Sequence, residues 1–282
     1  KKLKNRMKKN FFYKKMFSLR NKVAVVAGGC GMLGEKFCEG LAAYGANIAI
    51  VDIDYKKARK LSDKINLIYD IRSIPVLCDL TIKKSVDRMV KKVLLEFGEI
   101  NILVNNAASK TNSLKNFFKN YENYDLKTWK SIMSVNLDGM FLTSQAICAQ
   151  MVKQKKGGSV IQVSSIYGML APDQRIYKGS FYLGGKINTP AAYSASKAGV
   201  IGLSRYLSTY YASKKIKVNT ITPGGIESGQ NKKFIQFYSK RVPMNRMGKA
   251  HELVGALIFL SSDSSSYITG QNLIVDGGLS TW

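Results

Sequence analysis

The stretch NKVAVVAGGCGMLGEKFCEGLAAYGANIAIVDID, residues 21–54, decides the fold. Lys22 to Ala27 is a short valine-rich run, the pattern of a strand buried on both faces. It breaks on Gly28, Gly29 and Gly31, turns into a helical pattern from about Met32 to Tyr44, and is followed by a second apolar run from Ala46 to Asp52. A strand that runs through glycines into a helix start lets backbone N–H groups approach a pyrophosphate, and the helix dipole adds positive potential there. Gly28, Gly31, Met32, Leu33 and Gly34 are therefore candidate nucleotide-binding residues. Asp52 closes the second strand, 18 residues beyond Gly34, where a carboxylate can accept hydrogen bonds from ribose hydroxyls and repel a 2′-phosphate. The next residue, Ile53, carries no charge to offset that repulsion, so NAD is expected rather than NADP. The competing role for Asp52 or Asp54 is a helix N-cap.

Working outward, strands and helices keep alternating. Ile74 to Leu80 reads as a strand, Ile82 to Phe97 as an amphipathic helix, and Ile100 to Val104 as a strand leading into NNAAS. After a polar loop near 109–124 comes a long helical pattern from about Leu126 to Lys153, then strands at 158–165 and at Lys217 to Thr222. This alternation predicts an α/β fold, a single-domain Rossmann-type doubly wound parallel sheet with helices on both faces. In such sheets ligands sit outside the carboxyl ends of the strands, and the loops there hold Gly28, Asp52, Asp79, Asn105, Ser165 and Pro223. Between the last two strands lies TPAAYSASKAGVIGLSRYLS, residues 189–208. Tyr193 and Lys197 stand one turn apart on the same helical face. A cation beside a phenol favours phenolate, which makes Tyr193 a candidate general acid or base.

The formal charge of +26 invites a nucleic-acid or anionic-membrane reading. Yet the basic residues are spread along the chain, and only residues 1–20, KKLKNRMKKNFFYKKMFSLR, form a block, with nine Lys or Arg and no acid. That block is expected to be a flexible extension ahead of a domain spanning 21–282, with Met7 and Met16 as alternative starts. No nucleic-acid motif is visible, and the remaining charge reads as a solvated lysine-rich surface. No run approaches the roughly 18–20 apolar residues that cross a bilayer. Cys30, Cys38, Cys78 and Cys148 form no CxxC pair, so neither a metal site nor a disulfide framework is expected, and reduced cytoplasmic thiols fit best. The single histidine, His251, opens an apparent helix and suits a surface or capping role.

With these residues assembled, the chain resembles the short-chain dehydrogenase/reductase family from about Ser18 to Gly278. The resemblance rests on AGGCGMLG at the first turn, CDLT around Asp79, NNAA at Asn105 to Ala108, SVNLDG around Asn136, VSSIYG around Ser165, YSASK at Tyr193 to Lys197, TPGGI from Thr222, and ITGQNLIVDGG near the end. It implies that Tyr193 exchanges a proton with the substrate oxygen while hydride passes to or from a nicotinamide, and that Ser165 hydrogen-bonds the same oxygen. Lys197 would lower the Tyr193 pKa and hold the nicotinamide ribose, with Asn136 anchoring a water that joins Lys197 to a proton path. Asp79 and Leu80 would lie at the adenine, Asn105 and Ala107 beside the cofactor, and Pro223, Gly224 and Ile226 around the nicotinamide. Homodimers or homotetramers through the helices of Asn136 and Tyr193 are a further implication.

The chain departs from the family pattern at Ala27 and Met32 in the first turn, and most of all between Ser165 and Tyr193, which stand 28 residues apart, a much longer interval than usual. Residues 166–190 are thus an inserted loop whose ends are both catalytic, placed to cover the substrate; a purely structural or oligomer-contact loop is the alternative. Its Tyr167, Asp173, Arg175, Tyr177, Lys178 and Tyr182 suit a polar ligand. A second lid, 226–248, is rich in Lys and Arg and suggests an anionic sugar. The insertion resembles a bacterial surface-sugar and flagellin-modification branch of the family. A 3-oxoacyl-carrier-protein reductase or a gluconate-type dehydrogenase is the alternative enzyme, and a dinucleotide-sensing scaffold the non-enzyme one. The intact set Asn136, Ser165, Tyr193 and Lys197 favours turnover.

Overall fold

All five residues of strand β1 (Val23–Ala27) are buried, because apolar layers cover both faces of the sheet. Ala24 and Val26 enter one apolar cluster, and Val23, Val25 and Ala27 enter the other. Strict alternation of side chains across a strand divides the run in this way. The computed structural model describes residue 13, residues 15–111 and residues 113–282.

From β1 the chain enters α1 (Met32–Ala43), β2 (Asn47–Asp52), α2 (Tyr55–Ile68), β3 (Ser73–Leu77), α3 (Lys83–Phe97) and β4 (Ile102–Asn105). There follow α4 (Leu126–Met133), a π-helical turn (Ser134–Asp138), α5 (Gly139–Gln154) and β5 (Gly158–Val163). The two short strands β6 (Phe181–Tyr182) and β7 (Gly185–Lys186) form a hairpin, and α6 (Ala191–Ala212), β8 (Ile216–Pro223), α7 (Lys232–Ser239), α8 (Val254–Ser261) and β9 (Asn272–Val275) complete the chain. The seven-stranded sheet has the order β3-β2-β1-β4-β5-β8-β9 with every pair parallel, so the expected doubly wound α/β architecture is present.

Helix α3 shows how the layers form. Val86, Met89, Val90 and Val93 recur at helical spacing and are all buried on the cluster shared with Val76 and Leu103. Each such side chain contributes about 1.5–3 kcal/mol by leaving water. Asp54 caps α2 by accepting from the Lys57 N–H at 3.0 Å, and Asp125 caps α4 by accepting from the Thr128 N–H at 2.7 Å. The N-cap alternative therefore belongs to Asp54, and Asp52 is free for another task.

Three differences from the sequence reading have physical causes. The single helix expected at 126–153 is interrupted by the π-turn, whose extra residue leaves the apolar periodicity almost unaltered. The strand expected through Leu80 ends at Leu77, and the chain turns where Asp79 accepts from Thr81 N and Oγ1 at 2.9 and 2.7 Å. Most of the basic block lies outside the described residues, but its last part packs on the domain. Leu19 is fully buried and its N–H donates to the Tyr44 carbonyl at 2.9 Å, while the Met16 carbonyl accepts from Ser264 N at 3.2 Å. Among the described residues, no helix is long and apolar enough to cross a membrane.

Candidate active site

The chain steps outward from β1 to β2 and β3, then returns to place β4 on the other side of β1. The helices that follow β1 and β4 consequently pack on opposite faces of the sheet and leave a crevice at the carboxyl edge, the usual ligand position in such sheets. Gly28 follows β1 with φ of 72°, and a Cβ built there would lie 2.6 Å from the Ala107 Cα, so only glycine lets the two loops meet. The Asn106 Nδ2 ties them by donating to the Gly28 carbonyl at 3.0 Å. Gly34, in the first turn of α1, packs so closely that a Cβ would lie 2.2 Å from the Gly28 carbonyl oxygen. It is a packing residue behind the turn.

A cavity of about 800 Å³ opens from this crevice. Of the sequence-derived cofactor residues, Gly28, Gly31, Met32, Leu33, Asp52, Ile53, Asp79, Leu80, Ala107, Pro223, Gly224 and Ile226 line it. Asp52 braces the glycine-rich turn. Its Oδ2 accepts from the Cys30 N–H at 3.0 Å and its Oδ1 from the Asp54 N–H at 3.1 Å. Burial, with Asp52 alongside, pushes the Cys30 thiol up to about 12, so it stays protonated. Asn105 does not reach the cavity. It is buried and donates to the Met140 carbonyl and Ser144 Oγ at 3.3 and 3.0 Å, which makes it a spacer between β4 and α5.

The expected catalytic residues divide into two that face the cavity, Ser165 and Tyr193, and two behind them, Asn136 and Lys197. The π-turn carries Asn136 inward, where its Oδ1 accepts from the Ser109 N–H at 2.8 Å and its Nδ2 donates to Ser196 Oγ at 3.1 Å. Ser196 Oγ in turn donates to the Tyr193 carbonyl at 2.8 Å. Asn136 thus fixes the β4 loop and the helix bearing Tyr193 to each other.

Lys197 Nζ lies 6.0 Å from the Tyr193 ring centre, so the helical spacing does bring the two groups together. The expected tuning is different, however. Burial holds the Tyr193 phenol above its ordinary pKa, and only its hydrogen bond with Ser165 pulls the other way. Lys197 donates to the Val163 carbonyl at 2.8 Å, and burial brings it down to about 8. In this state the phenol keeps its proton, and the lysine is spent on the end of β5.

The 166–190 insertion and the 226–248 lid form one roof. Ile166, Ile176, Phe234, Tyr238, Val242 and Met247 share an apolar cluster, Tyr182 pairs with Gln230 in a β-bridge, and Asn231 N donates to the Phe181 carbonyl at 3.0 Å. The lid's ends close on each other through the Ile226–Gly248 bridge. Tyr167, Tyr177, Tyr182 and Asn188 of the insertion line the cavity, as do Ser228, Gln230, Phe234 and Tyr238 of the lid.

The charged roof residues do not line the cavity. Asp173 pairs with Arg175 and Arg241, Arg246 pairs with Glu252, and Lys233 lies over Phe237. The basic lid therefore supplies no cation to a substrate, against the expectation drawn from its composition. Sequence reasoning also missed Tyr238, whose hydroxyl accepts from the Gly225 N–H at 2.6 Å and fixes the turn after β8. An aromatic in an amphipathic helix carries no signal for such a role. His251 is exposed on a 3-10 turn.

A family profile described as enoyl-(acyl carrier protein) reductase matches residues 31–280. The 3-oxoacyl-(acyl-carrier-protein) reductase of Thermotoga maritima is 32% identical over 272 residues, covering 93% of this chain and 98% of that protein. The NADH-dependent L-xylulose reductase of Ambrosiozyma monospora is 30% identical over 285 residues, covering 94% and 97%. The structure of a gluconate 5-dehydrogenase from Burkholderia cenocepacia, in complex with NADP and tartrate, superposes with a TM-score of 0.82 at 28% identity, covering 95% and 98%. The crevice, the Ser165–Tyr193 pair at its wall and these likenesses agree: the chain belongs to the short-chain dehydrogenase/reductase family and is an NAD(P)-dependent oxidoreductase.

Proposed function

We propose that the chain interconverts a secondary alcohol and a ketone on a sugar or sugar derivative, with NAD in preference to NADP. The observation that carries the substrate reading is the wall around Ser165 and Tyr193. Tyr167, Tyr177 and Tyr182 bring phenol rings into that wall, beside Asn188 and Gln230, whose amides are held by the Phe118, Lys119 and Ile226 carbonyls. A polyhydroxylated ring can stack on such aromatic faces and hydrogen-bond at their polar edges. Asp52 supports NAD, since its carboxylate is held on the adenosine side by two backbone N–H groups and cannot swing away from a 2′-phosphate.

The nicotinamide cofactor, when bound, supplies or accepts the hydride. The residues that would hold it are Gly28, Gly31, Met32 and Leu33 at the phosphates, Asp52, Ile53, Asp79 and Leu80 around the adenosine, and Ala107, Pro223, Gly224 and Ile226 toward the nicotinamide. Tyr193, kept protonated by burial, donates its proton to the carbonyl oxygen in reduction and recovers it from the hydroxyl in oxidation. Ser165 Oγ supplies the second hydrogen bond to that oxygen. Lys197 contributes a cation behind the phenol, with one of its three N–H groups on the Val163 carbonyl and the others left for the ribose, and Asn136 locks the β4 loop to the helix that carries both residues.

A place in surface-polysaccharide or flagellin-glycan synthesis, in the cytoplasm and as a homodimer or homotetramer, completes the reading. Four free thiols suit that compartment. A second reading, reduction of a 3-oxoacyl thioester, draws on Phe117, Phe118, Ile187 and Met247 in the same wall. Following NADH formation and consumption with sugars, sugar phosphates, nucleotide sugars and hydroxyacyl thioesters, beside NADP, separates them. Turnover confined to thioesters would overturn the sugar reading.

A further inference from the structure

We infer that Lys110 anchors an anionic group, a carboxylate or a phosphate, on the substrate; the inference rests on the substrate reading above and names the substrate's charge. Among the described residues lining the cavity, the cations are Lys57 and Lys110 and the anions are Asp52, Asp54 and Asp79. Lys57 sits at the adenosine end and is paired with Asp54 at 3.3 Å. All three carboxylates lie at that end too, after β2 and β3. Among the described residues that line it, the substrate end therefore has one cationic side chain and no carboxylate.

Lys110 is held without being neutralised. It follows β4 by way of Ser109, whose N–H is fixed by Asn136, and its Nζ donates to the Tyr182 hydroxyl at 2.8 Å while lying 4.1 Å from the centre of the same ring. A phenol and a π-face orient an ammonium but leave its charge uncompensated. Tyr182 is itself fixed, through its β-bridge to Gln230 and its edge contact with Phe118 at 6.3 Å. The lysine thus stands where the β4 loop, the insertion and the lid meet. A point charge with three donors suits a carboxylate or phosphate at the far end of a sugar from the reacting carbon.

The test uses the NADH complex and matched probes, so that it needs no turnover. D-gluconate and D-glucitol differ by a carboxylate in place of a terminal alcohol, and D-glucitol 6-phosphate separates phosphate from carboxylate. Wild type is expected to bind one of the two anions about tenfold more tightly than D-glucitol, a modest ratio because Lys110 is exposed. Lys110→Met should erase that ratio and leave D-glucitol binding in place, and Lys110→Arg should restore most of it. Wild type without any preference for an anion, including one that binds none of the probes, overturns the anchor. So does a Lys110→Met variant that keeps the preference, or one that loses all three probes equally, as a mere latch between loops would. Retained preference with no turnover of any sugar supports the anchor and sinks the sugar oxidoreductase reading.

Discussion

Replacing Asp52 with serine should convert a NAD-preferring site into one that tolerates NADP. The carboxylate is pinned by the Cys30 and Asp54 N–H groups at 3.0 and 3.1 Å, so it presents a fixed charge to whatever occupies the adenosine end. At an effective dielectric near 20 and a separation of about 5 Å, it repels each unit of charge on a 2′-phosphate by roughly 3 kcal/mol. Solvent in the open crevice cuts this by about half, leaving a discrimination of roughly ten- to a hundredfold against NADPH in the wild type. Asp52→Ser removes that repulsion and also a charge-assisted acceptor for the ribose, about 1.5–3 kcal/mol. NADH should therefore bind at least tenfold more weakly while NADPH tightens, inverting the ratio. Titration of both reduced cofactors by their fluorescence measures this, with a thermal melt to report any loosening of the glycine-rich turn. Equal wild-type affinity for the two cofactors, or an unchanged ratio in the variant, refutes the reasoning.

Three further outcomes are expected. Gly34→Ala drives a methyl to within 2.2 Å of the Gly28 carbonyl, so the backbone must shift; stability should fall by about 1–3 kcal/mol and NADH titration should show weakened binding. Lys217, donating to the Leu260 and Ser262 carbonyls and to Ser265 Oγ, is brought down by burial to about 8 from 10.5. The unfolded chain then holds the extra proton between those values, so stability rises with pH from 8 to 10.5, and urea melts of Lys217→Met should lack that share of the rise. Because burial raises the Tyr193 phenol, alcohol oxidation should accelerate with pH above neutrality and ketone reduction should not; initial-rate profiles in both directions check the sign.

Much of the frame is written in local chemistry. The glycine turn after Ala27 and the runs at 23–27, 47–52 and 158–163 read as strands because burial on both faces demands continuous apolar residues. The Tyr193–Lys197 proximity follows from helical spacing alone. What escaped depends on contacts between segments distant in sequence. The π-turn that carries Asn136 inward leaves no periodic trace, and the Val163 carbonyl that engages Lys197 lies 34 residues away. The lid's lysines and arginines look like an anion site in sequence, yet Arg241 and Arg246 are paired with Asp173 and Glu252 and none of the lid's cations lines the cavity. The cation that does line the substrate end, Lys110, sits in a stretch with no motif of its own.

Tyr193→Phe tests the central claim most directly, since it removes one oxygen and leaves the ring that packs against the cluster of Phe117, Ile132 and Ala192. Single-turnover measurements with the best substrate of the panel should show NADH binding unchanged and the chemical step slowed by about 10²–10⁴-fold, the contribution of a positioned general acid. A variant that binds NADH normally and turns over within a few-fold of wild type would contradict the assignment of Tyr193 as the proton donor.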